Sequence, residues 1–141
     1  MTTDDTRRHV RIARTRNSHY DVTNVRGGTI SVGDGSDESF TPVELLLTAI
    51  GGCTAVDVDL VTSRRAEPDS FEIDVEATKV RDEQGNHLAD IVVTFKVAFP
   101  DGEGGDAARA VLPDIVKKSH ERLCTVSRTV ELGTPITARI E

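Results

Sequence analysis

Aromatic residues and cysteines are scarce in this 141-residue sequence, which has no tryptophan, one tyrosine, four phenylalanines and two cysteines. A small aliphatic core of this kind often gains burial by pairing with a second subunit. The first residues, MTTDDTRRHV, lack the apolar segment of a secretory signal. A disulfide framework is therefore not indicated, and we expect a cytoplasmic protein. No CxxC motif is present, so neither a thioredoxin-like pair nor a zinc ribbon is predicted.

Basic charge is also in short supply, because 17 lysines and arginines face 24 acidic residues and give a net charge of −7. This balance argues against non-specific binding to nucleic acid and against binding to an anionic membrane surface. No run of about 20 apolar residues is found, so we expect no membrane span. No repeat or break in composition divides the chain, and we expect a single domain over residues 1–141.

Hydrophobic periodicity predicts the order βββ-α-ββ-α-β. The predicted strands cover 8–16, 18–25, 29–33, 70–80 and 89–99, the predicted helices cover 41–65 and 105–123, and TVELGTPITARIE closes the chain as one or two short strands. We expect Pro113 to break or restart the second helix. This pattern indicates an α+β fold with antiparallel sheets.

The first predicted helix has a specific start signal, since Thr41 and Glu44 match a capping box with proline at the first helical position. Its apolar residues surround most of its circumference, which indicates burial on several sides by a sheet or a partner subunit. Inside it, Gly51 and Gly52 directly precede Cys53. Each glycine in a helix interior lowers helix stability by roughly 1 kcal/mol relative to alanine, so we expect a packing or functional role that offsets this loss.

The first predicted helix is not expected to activate Cys53. Cys53 lies about twelve residues into the helix, beyond the reach of the helix dipole. Asp57, one turn later, is expected to raise the pKa of the thiol, so activation needs a cation from another part of the fold. A buried, unreactive thiol is the alternative. Cys124 follows His120 by one turn, but the spacing of a metal site is missing, and we expect no metal.

Three segments together resemble the OsmC/Ohr family: the Pro-x-Glu-Leu-Leu helix start, TPVELLLTAIGGCTAVDV, and SHERLCTVSRTVELGTPI. The resemblance implies an intertwined homodimer in which antiparallel sheets wrap two long central helices. It also implies reduction of organic hydroperoxides without a cofactor. Cys53, with a depressed pKa, would form a sulfenic acid, and Cys124 would resolve it to a disulfide that a dithiol reductant reopens. Arg26 matches the arginine that holds the thiolate.

The resemblance also assigns Val43, Gly51 and Gly52 to the substrate pocket. The peroxidases have a glutamate ten residues before the first cysteine, where this chain has Val43. Their histidine before the second cysteine corresponds to Glu121, and their following proline corresponds to Thr125. These differences leave a second function open, in which the fold binds a small hydrophobic ligand in the dimer pocket without catalysis.

Overall fold

The structure, a computed structural model, describes residues 6–141. It contains two antiparallel sheets and three α-helices, which confirms the predicted α+β class. The chain divides into two compact units whose boundary lies between Leu46 and Leu47. The single-domain organisation stays a prediction.

The first unit contains a three-stranded meander of β1 (Val10–Arg16), β2 (His19–Asn24) and β3 (Thr29–Val32). The turn between β2 and β3 is held by the Asn24 side chain, whose Oδ1 accepts the backbone N–H groups of Arg26 at 2.9 Å and Gly28 at 3.0 Å. Gly27 has φ of 92°, a left-handed conformation that glycine adopts without strain. The strands and the turn agree with the alternation of the sequence.

Helix α1 (Pro42–Ser63) begins in the first unit and continues into the second. Both hydrogen bonds of the capping box are present: the Thr41 N–H donates to Glu44 Oε1 at 2.8 Å, and the Glu44 N–H donates to Thr41 Oγ1 at 3.2 Å. One face of α1 is buried. It consists of residues at four-residue spacing, together with the neighbouring Gly51: Ile50, Thr54, Val58 and Thr62. Val56 and Leu60, at 69% and 55% exposure, leave another apolar face uncovered.

The prediction that no segment could span a membrane is wrong on length and composition, because α1 has 22 residues and is apolar enough to cross one. A search for an unbroken run of apolar residues missed α1 because threonines, glycines and two aspartates interrupt the run. The mean hydropathy of the helix is nevertheless high enough for a membrane span. A single helix of this kind is weak evidence, since the core helix of a soluble protein passes the same test. No membrane protein is indicated.

The second unit contains a long hairpin of β4 (Ser70–Asp82) and β5 (Gly85–Ala98). Both strands extend into residues 81–88, which lie between the two predicted strands, so the connection is a turn at Glu83 and Gln84. The Gln84 N–H donates to Asp82 Oδ1 at 2.8 Å, and Gly85 has φ of 127°. Polar residues can pair here because this end of the hairpin is exposed to solvent and its ladder needs only backbone groups.

The C-terminal part of the chain is helical where strands were predicted. Helix α2 (Glu103–Lys118) contains Pro113 without breaking, a π-helical turn follows at Ser119–Leu123, and α3 covers Thr125–Leu132. Gly133, in the left-handed conformation, caps α3. The predicted terminal strands are absent from the described residues because alternation alone cannot form a strand without a partner ladder. Ile136 and Ile140 are instead 95% and 101% exposed.

Candidate functional site

The two cysteines, far apart in sequence, lie together in the second unit. Cys53 is half-buried on α1, Cys124 is fully buried just before α3, and both are free thiols. Each side chain shifts the pKa of the other, so the two thiols are close neighbours. The fold therefore brings together two sulfurs from distant parts of the chain, as the formation of an internal disulfide requires.

The N-terminus of α3 points its backbone N–H groups at both sulfurs. Cys124 is the N-cap residue, and its Sγ accepts the Ser127 N–H at 3.3 Å. The Val126 N–H bonds to Cys53, and the hydroxyls of Thr54 and Ser127 bond to Cys124. Hydrogen bonds of this kind stabilise negative charge on sulfur.

The two thiols differ in acidity. Burial raises the pKa of the Cys53 thiol, and the Cys124 and Asp57 side chains raise it further. Burial also raises the pKa of Cys124, but hydrogen bonds from Cys53, Ser127 and Thr54 outweigh burial, so the pKa of Cys124 lies below its usual value. The effect expected of Asp57 is therefore present, while the depressed pKa expected for Cys53, which needs a cation such as Arg26, stays a prediction.

Asp57 is tied to the segment that leads to Cys124. The Ser119 hydroxyl, which is fully buried, donates to Asp57 Oδ2 at 2.7 Å. The carbonyl of the same serine accepts the Cys124 N–H at 2.8 Å. Ser119 thus connects the carboxylate beside Cys53 with the backbone of Cys124. Sequence reasoning missed Ser119 and Thr54 because contacts between distant segments leave no local pattern, and it missed Ser127, three residues after Cys124, because it did not predict α3.

A cavity of about 310 Å³ lies beside the thiol pair. Thr54 and Ser127, which contact Cys124, are part of its wall, and the rest of the wall is mainly apolar. The other lining residues are Ile50, Ile91, Val93, Phe95, Val116, His120, Val130 and Glu131. His120 Nε2 lies 3.2 Å from Glu131 Oε1. The cavity can hold a small apolar molecule, with polar groups near the sulfurs.

The paired glycines of α1 have different surroundings. A Cβ at Gly51 would lie 2.6 Å from Val75 Cγ2, so Gly51 is needed for the close approach of β4 to the helix. A Cβ at Gly52 would meet nothing within 4 Å, and Gly52 is exposed. Only Gly51 is therefore explained by packing within the chain.

The remaining predicted site residues belong to the first unit. Arg26 is exposed in the turn between β2 and β3, and Val43 is exposed in the first turn of α1. Thr41 and Glu44 cap α1, as described above. The roles of Arg26 and Val43 beside the thiols stay predictions. Within residues 6–141, no group of three or more histidines, cysteines or acidic residues is arranged to hold a metal ion.

Comparisons with known proteins identify relatives of this chain. A family model described as "OsmC-like protein" matches residues 33–139. Protein YhfA of Escherichia coli is 32% identical over 110 residues, which are 77% of this chain and 78% of that protein. A hypothetical protein of Aquifex aeolicus has a similar structure, with a TM-score of 0.71, 22% identity and coverage of 91% and 89% of the two chains. An organic hydroperoxide resistance protein of Elizabethkingia anophelis also has a similar structure, with a TM-score of 0.61 and 15% identity. The match covers 89% of this chain and 90% of that chain. At these identities the two structures show likeness of fold alone.

Proposed function

This chain belongs to the OsmC-like protein family, and we propose that it reduces organic hydroperoxides with the Cys53–Cys124 pair. The observation that carries the proposal is that two thiols from distant parts of the chain lie close enough for each to shift the pKa of the other. A buried structural cysteine needs no such partner, whereas a peroxidase that forms an internal disulfide does.

The chemistry proceeds in three steps. The Cys53 sulfur, which is the more exposed of the two, attacks the O–O bond, becomes a sulfenic acid and releases the alcohol. Cys124 then attacks the Cys53 sulfur, so that a disulfide forms and water leaves. A dithiol reductant reopens the disulfide and is itself oxidised. Arg26 is proposed to hold the Cys53 thiolate and the peroxide oxygen, the role that the family resemblance implies for it.

The cavity supports an organic substrate. Its apolar wall, which includes Ile91, Val93 and Phe95 of β5, suits an alkyl or aryl group better than it suits hydrogen peroxide. One solved structure of similar fold is named an organic hydroperoxide resistance protein, which is consistent with the same substrate class. We propose a cytoplasmic role in peroxide detoxification.

Treatment with one equivalent of cumene hydroperoxide tests this function. We expect the count of free thiols to fall from two to zero and the intact mass to fall by two hydrogen atoms, because a Cys53–Cys124 disulfide forms. Hydrogen peroxide at the same concentration should react more slowly, since it gains nothing from the apolar cavity. A folded protein that still has two thiols after treatment contradicts the proposal and favours the binding of an apolar ligand without catalysis.

We also propose that two copies of the chain form an intertwined homodimer. The apolar residues Val56 and Leu60 of α1 are uncovered in the single chain, and so are Ile136 and Ile140 of the tail. Apolar surface of this extent commonly marks an interface between proteins. Gly52, which has open space above it, lies beside this face of α1 and would let a second helix approach closely.

Substitutions on the uncovered face of α1 test the dimer. We expect Val56→Arg to give a monomer in sedimentation velocity, because a charge cannot be buried there without a partner. Gly52→Ala should weaken the dimer less, since it adds one methyl group at the same face. Glu72→Arg is a control on an exposed position of β4, and it should remain dimeric. A wild-type protein that sediments as a monomer at micromolar concentration refutes the dimer.

A further inference from the structure

Ser119 joins three parts of the second unit through three different polar groups. Its backbone N–H donates to the carbonyl oxygens of Ile115 and Val116, at the end of α2. Its carbonyl oxygen accepts the Cys124 N–H at 2.8 Å, across the π-helical turn. Its hydroxyl, which is fully buried, donates to Asp57 Oδ2 on α1 at 2.7 Å. Ser119 therefore connects α2 and the backbone of Cys124 to α1.

The cysteine pair and the Asp57–Ser119 pair join the same two segments of the chain. Asp57 lies one turn after Cys53 on the same face of α1, about 6 Å further along the helix axis. On the other side, the π-helical turn begins at Ser119 and ends directly before Cys124. Each cysteine shifts the pKa of the other, so the thiols are close neighbours as well. The hydrogen bond thus lies one turn away from the thiols, where it can fix their separation.

The hydrogen bond between Ser119 and Asp57 is of a strong kind. A buried hydroxyl loses its hydration on folding and needs a protein group as its partner. The acceptor here is a carboxylate, and charge-assisted bonds of this type are stronger than bonds between neutral groups. The turn that this bond fixes is π-helical, a rare conformation that often lies at functional sites. The bond therefore holds the π-helical turn, and with it Cys124, against α1.

We propose that the Ser119–Asp57 hydrogen bond sets the separation of Cys124 and Cys53 and so controls how readily the disulfide closes. The inference rests on the proposed function, because it concerns the second step of that reaction. In that step the Cys124 sulfur attacks the sulfenic acid of Cys53, an S–S bond forms, the S–O bond breaks, and the hydroxyl leaves as water with the thiol proton. A disulfide requires Cα atoms roughly 4.4–6.8 Å apart, so a small displacement of the turn slows closure. Ser119 and Asp57 are positioning residues, since they act through the backbone of Cys124.

The equilibrium of the cysteine pair with glutathione measures this positioning. Oxidised glutathione accepts two electrons and two protons from the thiols, and the ratio of disulfide to dithiol gives the effective concentration of one cysteine at the other. We expect Asp57→Ala and Ser119→Ala each to lower this effective concentration roughly tenfold, as the loss of one charge-assisted hydrogen bond would. An effective concentration equal to that of wild type in either variant overturns the proposal.

Further variants separate the hydrogen bond from the charge of Asp57. Asp57→Asn keeps an acceptor oxygen for the Ser119 hydroxyl and should recover most of the effective concentration. The double variant Asp57→Ala/Ser119→Ala should equal the single variants, because each of them has already lost the bond. Asp59→Ala, at an exposed position of the same helix, is the control and should equal wild type. Additive losses in the double variant, or a loss in Asp57→Asn as large as that in Asp57→Ala, contradict the positioning role.

The glutathione equilibrium needs no hydroperoxide, so the two proposals can fail separately. If glutathione forms the disulfide but cumene hydroperoxide leaves both thiols reduced, the proposed function is wrong and the positioning of the pair is still measured. A wild-type protein that forms no disulfide with glutathione refutes both. Circular dichroism of the reduced variants shows whether they are folded, and Ser119→Ala, which removes a single oxygen atom, decides the test if Asp57→Ala is unfolded.

Discussion

Cys53→Ser will reduce hydroperoxide consumption to the rate of the reductant alone. The O–O bond must be attacked by sulfur, because a serine hydroxyl is a far weaker nucleophile at neutral pH. The fold brings only one other thiol to the site, and Cys124 is fully buried against Thr54 and Ser127. The measurement is loss of cumene hydroperoxide with dithiothreitol as the electron donor.

Cys124→Ser supplies the matched comparison. This variant keeps Cys53 and should still consume one equivalent of hydroperoxide, leaving a sulfenic acid that a 1,3-diketone reagent traps on Cys53. Thermal unfolding of both variants shows whether the loss of turnover comes from chemistry or from unfolding. Full turnover by Cys53→Ser, with an inactive Cys124→Ser, reverses the roles of the two cysteines.

Gly105→Ala will destabilise the fold more than any of the other substitutions discussed above. Gly105 is buried in the first turn of α2, and an added Cβ would lie 1.7 Å from the Pro100 carbonyl oxygen. That oxygen belongs to the backbone, so no side-chain rotation relieves the overlap. Overpacking typically costs about 1–3 kcal/mol, and a clash with backbone belongs at or above the upper end of that range. Since domains are stable by only about 5–15 kcal/mol, a large part of the stability is lost.

Urea unfolding of wild type and Gly105→Ala measures this loss. Asp106→Ala, at the next and more exposed position, is the control, because it removes a surface ion pair with Arg109 and adds nothing near a backbone. The effect should also reach the thiols, since α2 leads through the π-helical turn to Cys124. An unfolding midpoint for Gly105→Ala equal to that of wild type refutes the packing argument.

Most of the secondary structure follows from local patterns. The alternation at 70–80 and 89–99 marks the hairpin, and Thr41, Pro42 and Glu44 mark the start of α1, because each signal is complete within a few residues. The segment after Cys124 has no such local signal. Its last residues alternate between apolar and polar side chains as a strand does, but α3 forms at Thr125–Leu132 and the residues after it are irregular. A strand depends on a partner strand, which the alternation does not reveal.

The sequence by itself determined the α+β class, the two cysteines and, through motifs that extend over most of the chain, the family. Only the tertiary structure decided which groups surround the sulfurs. The effect of Thr54 on Cys124, the Ser119–Asp57 hydrogen bond and the close approach of Val75 to Gly51 all join segments that are distant in the chain. Such contacts arise from the packing of whole elements, and the acidity of each sulfur depends on them, so it could not be predicted from the sequence.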